Sequence, residues 1–95
     1  MEYNDGKLTV GVHVWTIANN KGTCTATCEN LINDVTLIID FFKGANIFRY
    51  VTRHTITGEN DDVNGIEWMG KYISREEIEQ VQVALVMLYC GKLNN

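Results

Sequence analysis

Residues 7–18, KLTVGVHVWTIA, alternate between apolar and polar positions with a period of two, the mark of a strand with one buried face. The alternation puts Leu8, Val10, Val12 and Val14 on one face and Thr9, Gly11, His13 and Trp15 on the other. Asn19-Asn20-Lys21-Gly22 then predicts a turn, because Asn and Gly tolerate positive φ, and TCTATC (23–28) alternates again. In NLINDVTLIIDFFK (30–43), Leu31, Val35, Ile38, Ile39 and Phe42 fall at helical spacing, with Gly44 placed as a C′ glycine. NIFRYVTRHTIT (46–57) reads as a third strand, with Phe48, Tyr50 and Ile56 on one face and Arg49, Val51 and Arg53 on the other. GENDDVNG (58–65) is a loop, and IEWMGKYI (66–73) a fourth strand. Ser74-Arg75-Glu76-Glu77 forms a capping box opening a helix that runs to about Cys90, with Ile78, Val81, Leu85 and Leu88 inward and Gly91 as its stop.

The predicted order is strand-strand-helix, twice. It implies an α+β fold: a four-stranded, mainly antiparallel sheet with both helices packed on one face. Residues 23–28 leave an alternative, because Cys24 and Cys28 also continue the helical stripe of 31–42. A first helix starting at Thr23 would give strand-helix-strand-strand-helix. The alternating threonines favour the strand.

The chain has 95 residues, 45% hydrophobic and 21% charged, which suits a single soluble globular domain spanning 1–95. No apolar run is long enough to cross a bilayer. The acidic start, Met-Glu-Tyr-Asn-Asp, is the opposite of a leader peptide. Three cysteines leave one unpaired in a monomer, so a reducing, cytoplasmic setting is expected. The net charge of −4 disfavours non-specific nucleic-acid binding.

Cys24-x-x-x-Cys28 is the first candidate for chemistry. On a strand the two thiols share a face but lie roughly 13 Å apart, at about 3.3 Å per residue, beyond the reach of a disulfide or a shared metal. On a helix they would stand about 6 Å apart, yet zinc would still need two more ligands. Only Cys90, His13 and His54 could supply them. The pair is therefore read as core, and neither a metal nor another cofactor is expected. GENDDVNG fails as a calcium loop: Asn60 stands at its first ligand position and Lys71 where a bidentate Glu is required. No phosphate-binding, dinucleotide-binding, zinc-protease or serine-hydrolase motif is present. His54 reads as a satisfied core histidine. Glu76, Glu77 and Glu79 sit where carboxylates complement a helix dipole. Enzymatic activity is not expected.

With both helices on one face, the open face would carry Thr9, His13, Trp15, Thr23, Thr25, Thr27, Arg49, Val51, Arg53, Glu67, Met69 and Lys71. Arg49, Arg53 and Lys71 against the single Glu67 would make this face basic on an acidic body. Exposed strands carry such residues as ordinary cross-strand partners, but Trp, Arg and Met are also enriched at interface centres. His13, Trp15, Arg49, Arg53, Met69 and Lys71 are thus the candidate partner-binding residues. Val83, Val86 and Met87 lie outside the inward stripe of the last helix and are the candidate oligomer interface, which points to a homodimer. The expected function is a small protein-binding module acting by occlusion, in the manner of inhibitors carried by phages and mobile elements. Two alternatives stand beside it. One is a nucleic-acid binder using the open face as a stacking and phosphate-contacting platform. The other is a small-ligand or nucleotide-binding homo-oligomer.

Overall fold

The computed structural model describes residues 1–30 and 33–93. Seven strands form one antiparallel meander, side by side in chain order: β1 (Glu2–Asn4), β2 (Lys7–Val10), β3 (His13–Asn19), β4 (Thr23–Asn30), β5 (Val35–Phe42), β6 (Ile47–His54) and β7 (Asn60–Val63). A 3₁₀ turn, Gly65–Trp68, leads into the helix α1 (Arg75–Tyr89), which crosses β2, β4 and β5 on one face. The expected four-stranded sheet with two helices is therefore wrong, and so is its strand-helix-strand-strand-helix alternative. Among the described residues there is one α-helix, and no helix is long and apolar enough to cross a membrane.

The missing helix is β5. Every residue from Val35 to Phe41 is buried, because α1 covers one side and the side chains of β4 and β6 crowd the other. A strand buried on both faces is an almost unbroken apolar run. Such a run satisfies helical spacing by default, since nearly every position is apolar. The β-branched Val35, Thr36, Ile38 and Ile39 were the signal for strand. Leu31, counted in the helical stripe, lies outside the described residues. Gly44 belongs to the β5–β6 turn rather than a helix end, with Asn46 there at φ 55°.

The first strand is really two. Gly11, at φ 59°, and Val12 reverse the chain between the paired Val10 and His13. Glycine first in a two-residue turn is the type II′ pattern. The turn swaps the parity of the alternation: the residues flanking it face the same way. Leu8 and Val10 in β2 therefore share the covered face with Trp15 in β3, while Val12 and Val14 are left exposed. An Asp5-Gly6 turn, both at positive φ, joins β1 to β2 in the same economical way.

The fourth predicted strand is also displaced. The pairing strand is β7, inside the segment read as a loop, and it runs alongside β6 from Tyr50↔Val63 to Arg53↔Asn60. Asn64 caps the 3₁₀ turn by accepting the N–H of Ile66 at 3.0 Å. Trp68 is thereby driven into the core, where its indole donates to Thr52 Oγ1 at 2.9 Å and stands edge-on to Tyr50. Gly65 lets the Tyr50 ring come close: a Cβ there would lie 3.2 Å from the ring, which would have to give by a few tenths of an ångström.

Residues 23–28 are strand, and Cys24, Ala26 and Cys28 lie buried on the covered face beneath α1. Small side chains on a central strand let the helix approach closely. Around them pack Leu8, Val10, Trp15, Leu37, Ile39 and Phe41 from the sheet and Ile78, Val81, Ala84 and Leu85 from α1. The start of α1 is where the capping motif put it: Ser74 Oγ accepts the N–H of Glu77 at 3.2 Å. Ser74→Ala is expected to cost about 1 kcal/mol, a fall of roughly 4–8 °C in Tm for a domain of this size. A thermal melt followed by circular dichroism would show it.

Candidate binding surfaces

The sheet face away from α1 is assembled by register. Thr16↔Thr27↔Ile38↔Val51↔Asp62 forms one cross-strand row, and Thr25↔Asp40↔Arg49 another. Asp40 is buried there and accepts from Thr25 Oγ1 at 2.7 Å, from Arg49 Nε at 3.1 Å and from an Arg49 terminal nitrogen at 2.9 Å. The Arg49 guanidinium also lies 5.6 Å from the centre of the Phe42 ring. Arg53 donates from Nε to Asn60 Oδ1 at 2.8 Å. Both arginines are on the predicted face, but each is engaged within the sheet, Arg49 as the counter-ion of a buried carboxylate.

The rest of the predicted set is not brought there. Trp15 is wholly buried and His13 faces the helix side, both as a consequence of the Gly11-Val12 turn. Met69 and Lys71 lie in the segment between Trp68 and α1, on the helix side of the sheet, Met69 lining a pocket with Tyr50 and Lys71 one with His13. With Lys7, Arg49 and Arg53 set against Glu2, Glu29, Asp40 and Asp62 by the strand register, the face is of mixed charge rather than basic. The aromatic and cationic side chains that suggested a nucleic-acid platform do not meet on one surface.

His13, Trp15 and Glu77 instead form a cluster that sequence reading missed. Glu77 occupies the third position of α1, with its side chain only 10% exposed. Its carboxylate accepts the Trp15 indole N–H at 2.9 Å and lies 2.8 and 2.9 Å from His13 Nδ1. A carboxylate only accepts, so Nδ1 carries the proton. The N-terminal end of the helix dipole favours the negative charge at this position. The cluster ties the β2–β3 hairpin to the start of α1.

The thiols of the core are chemically quiet. Burial raises the pKa of Cys24, and burial with the nearby carboxylates of Glu77 and Glu29 pushes that of Cys28 up to about 11. A thiolate is disfavoured at both. Cys90 is exposed at the end of α1. His54 is not a core histidine: it is half-exposed at the end of β6, with Nε2 3.3 Å from Asp61 Oδ2. Of the rejected calcium loop, Asn60 and Asp62 lie in β7 and Asn64 caps the 3₁₀ turn. Among the described residues no group of three or more His, Cys, Asp or Glu is placed to hold a metal ion.

Apolar side chains also reach solvent, among them two groups that lie close together or at one edge. Between α1 and β6, Phe48, Gln82, Val83, Val86 and Met87 line a shallow groove of about 300 Å³ whose walls are almost entirely carbon. Val83 is 52% exposed, and Tyr89 is equally open one turn and a half further on. At one end of the sheet, the turns that begin with Gly11-Val12 and Thr55-Ile56 carry aliphatic side chains into solvent, Val12 being 92% and Ile56 85% exposed. No family model matches the chain, no curated protein matches its sequence, and no solved structure matches its fold.

Proposed function

We propose that the protein is a non-catalytic protein-binding module that acts by occlusion, seating a partner along the flank of α1 beside β6. The observation that supports this is the groove of Phe48, Val83, Val86 and Met87, which exposes contiguous carbon surface in an otherwise well-satisfied fold. Scattered apolar side chains on a surface are ordinary, whereas a groove in which a helix and a strand contribute adjacent apolar side chains offers a partner a continuous surface to cover. Val83, Val86 and Cys90 recur at three and four residues along α1, the spacing by which helices pack together. This repeat favours a second reading, a homodimer formed helix to helix.

One experiment addresses both. Full-length protein and the Val83→Glu/Met87→Glu variant are used as bait in extracts of the native host, with captured proteins identified by mass spectrometry and their affinities measured with purified components. The variant should retain its melting temperature within a few degrees, since both side chains reach solvent, and lose at least about 2 kcal/mol of binding, as for an interface anchor. Light scattering of the two proteins at high micromolar concentration tests the dimer, which the variant should dissociate. Unchanged capture and unchanged mass would remove the groove from consideration.

A further inference from the structure

The two ends of the sheet differ in a way that folding does not require. The turns at one end are Asp5-Gly6, Asn20-Lys21-Gly22 and Lys43-Gly44-Ala45-Asn46, which hold nothing apolar larger than alanine. These are the residues turn geometry prefers. At the other end the β2–β3 turn carries Val12 and the β6–β7 turn Ile56, both almost fully in solvent. A β-branched aliphatic gains nothing from either position, where Asn, Asp, Ser or Thr would serve the backbone better.

Beside Val12 the sheet is split. β3 stays paired with β2 back to His13, and β4 stays paired with β5 out to Asn30. Between themselves β3 and β4 pair only from Thr16↔Thr27 to Asn19↔Cys24. The strands part beyond that point, leaving an open cleft of about 400 Å³ lined by Val12, Val14, His13, Cys28, Glu29 and Lys7. Lys7 donates to Thr16 Oγ1 at 3.0 Å on the same face. At this end Glu59 closes the β6–β7 turn and Asp61 follows in β7, with Arg53 bonded to Asn60 and His54 to Asp61, while Glu76 lies beside Gly11 and Lys71 shares a pocket with His13.

We infer that this rim is a second docking surface, and that its occupant is a segment of a partner protein in which aliphatic side chains are interspersed with lysine or arginine. The inference rests on the protein-binding reading above. Charge chooses the occupant: exposed aliphatics flanked mainly by carboxylates complement a basic, apolar segment and repel an anionic bilayer, whose proteins present Trp, Tyr and basic residues instead. The cleft is of a size to take one long side chain, with Val12 and Val14 against its methylenes and Glu29 near its charge. On a flat sheet the two turns are four strand spacings apart, roughly 19 Å at about 4.8 Å each. An extended segment of roughly six residues spans that distance at about 3.3 Å per residue.

The test is a titration of the full ¹⁵N-labelled chain, followed by NMR, with a synthetic twelve-residue peptide of alternating Leu and Arg. A Leu/Glu peptide of the same length and vesicles of phosphatidylcholine, with and without phosphatidylglycerol, are the comparison arms. The Leu/Arg peptide should shift the amides of Val12, Val14, Glu29 and Ile56, with binding that weakens as salt rises. Val12→Ser/Ile56→Ser should raise Kd at least tenfold in a chain whose spectrum stays dispersed. Glu29→Gln should raise it severalfold and flatten the salt dependence. Shifts confined to Phe48 and Val83 would overturn the rim while leaving the protein-binding reading intact. Absence of binding at millimolar peptide, equal binding of the Leu/Glu peptide, or preference for vesicles would also overturn it.

Discussion

Trp15→Ala is expected to cost about 3–5 kcal/mol, the range for deleting a fully buried aromatic, and so to consume much of the roughly 5–15 kcal/mol that holds a domain of this kind folded. The side chain has no exposed surface, packs in the core beside Leu8, its partner across β2, and donates its indole N–H to Glu77. Alanine would leave a cavity between β3 and α1 and remove a donor from a carboxylate that is itself nearly buried. Trp15→Phe keeps most of the ring and loses the hydrogen bond, so it should cost about 1–2 kcal/mol, near the penalty for one unsatisfied buried group. Urea denaturation followed by circular dichroism separates the three proteins. A Trp15→Ala variant as stable as the parent would mean that the indole sits on the open face and that the Gly11-Val12 turn is wrong. Binding studies with Trp15 variants therefore report on folding first.

The fold was legible where local chemistry acts alone and illegible where burial overrides it. The Ser74 cap, the inward stripe of α1 and the turn near Asn20 each depend on a few neighbouring residues, and each is found where the residues indicate. β5 was lost because a strand covered on both faces has no period, so Val35, Ile38, Ile39 and Phe42 matched a helix as well as a strand. β7 was lost for the opposite reason. It is a short acidic edge strand, Asn60–Val63, and edges of that composition are how sheets discourage pairing with other chains. Its sequence is that of a loop.

The predicted face lost members at two places, the first of them Gly11. Gly11 in the middle of an alternating run marks a turn or bulge; read as an uninterrupted strand, the run put every residue after it on the wrong face. That one error moved His13 and Trp15 from the helix side to the proposed binding surface. Lys71 and Met69 followed from the misplaced fourth strand. Arg49 and Arg53 kept their predicted face, but their partners Asp40 and Asn60 lie on neighbouring strands. No periodicity along one strand could have revealed those pairs. The apolar excess of α1 was legible, because Val83 and Met87 fall outside a stripe that the helix itself defines.

Glu77→Leu is expected to cost about 3 kcal/mol or more, the usual consequence of removing one member of a buried, hydrogen-bonded charged group. Leucine preserves volume and helix propensity, so the loss isolates the polar contacts. The Trp15 indole N–H would be left buried without an acceptor, and His13 Nδ1 would lose both carboxylate oxygens. Glu76→Leu is the control, since Glu76 is exposed in the same helical turn. It removes a comparable favourable interaction with the helix dipole, worth about 0.3–1 kcal/mol, and nothing else. The difference between the two variants measures what the cluster contributes. Trp15→Phe combined with Glu77→Leu should then be less damaging than the two single losses added together, because each already breaks the same hydrogen bond. Equal losses for Glu76→Leu and Glu77→Leu would reduce Glu77 to a dipole partner, and the hairpin would have to be held to the helix by the apolar packing of Leu8, Val10 and Trp15. The cluster's position gives the result wider reach. Val12 projects from the hairpin whose last residue before the turn is Val10 and whose first after it is His13. Glu77 therefore fixes in space the base of the very turn proposed to dock a partner, so Glu77→Leu at a temperature where the chain remains folded should broaden the amide signals of Gly11 and Val12 before those of Ile56.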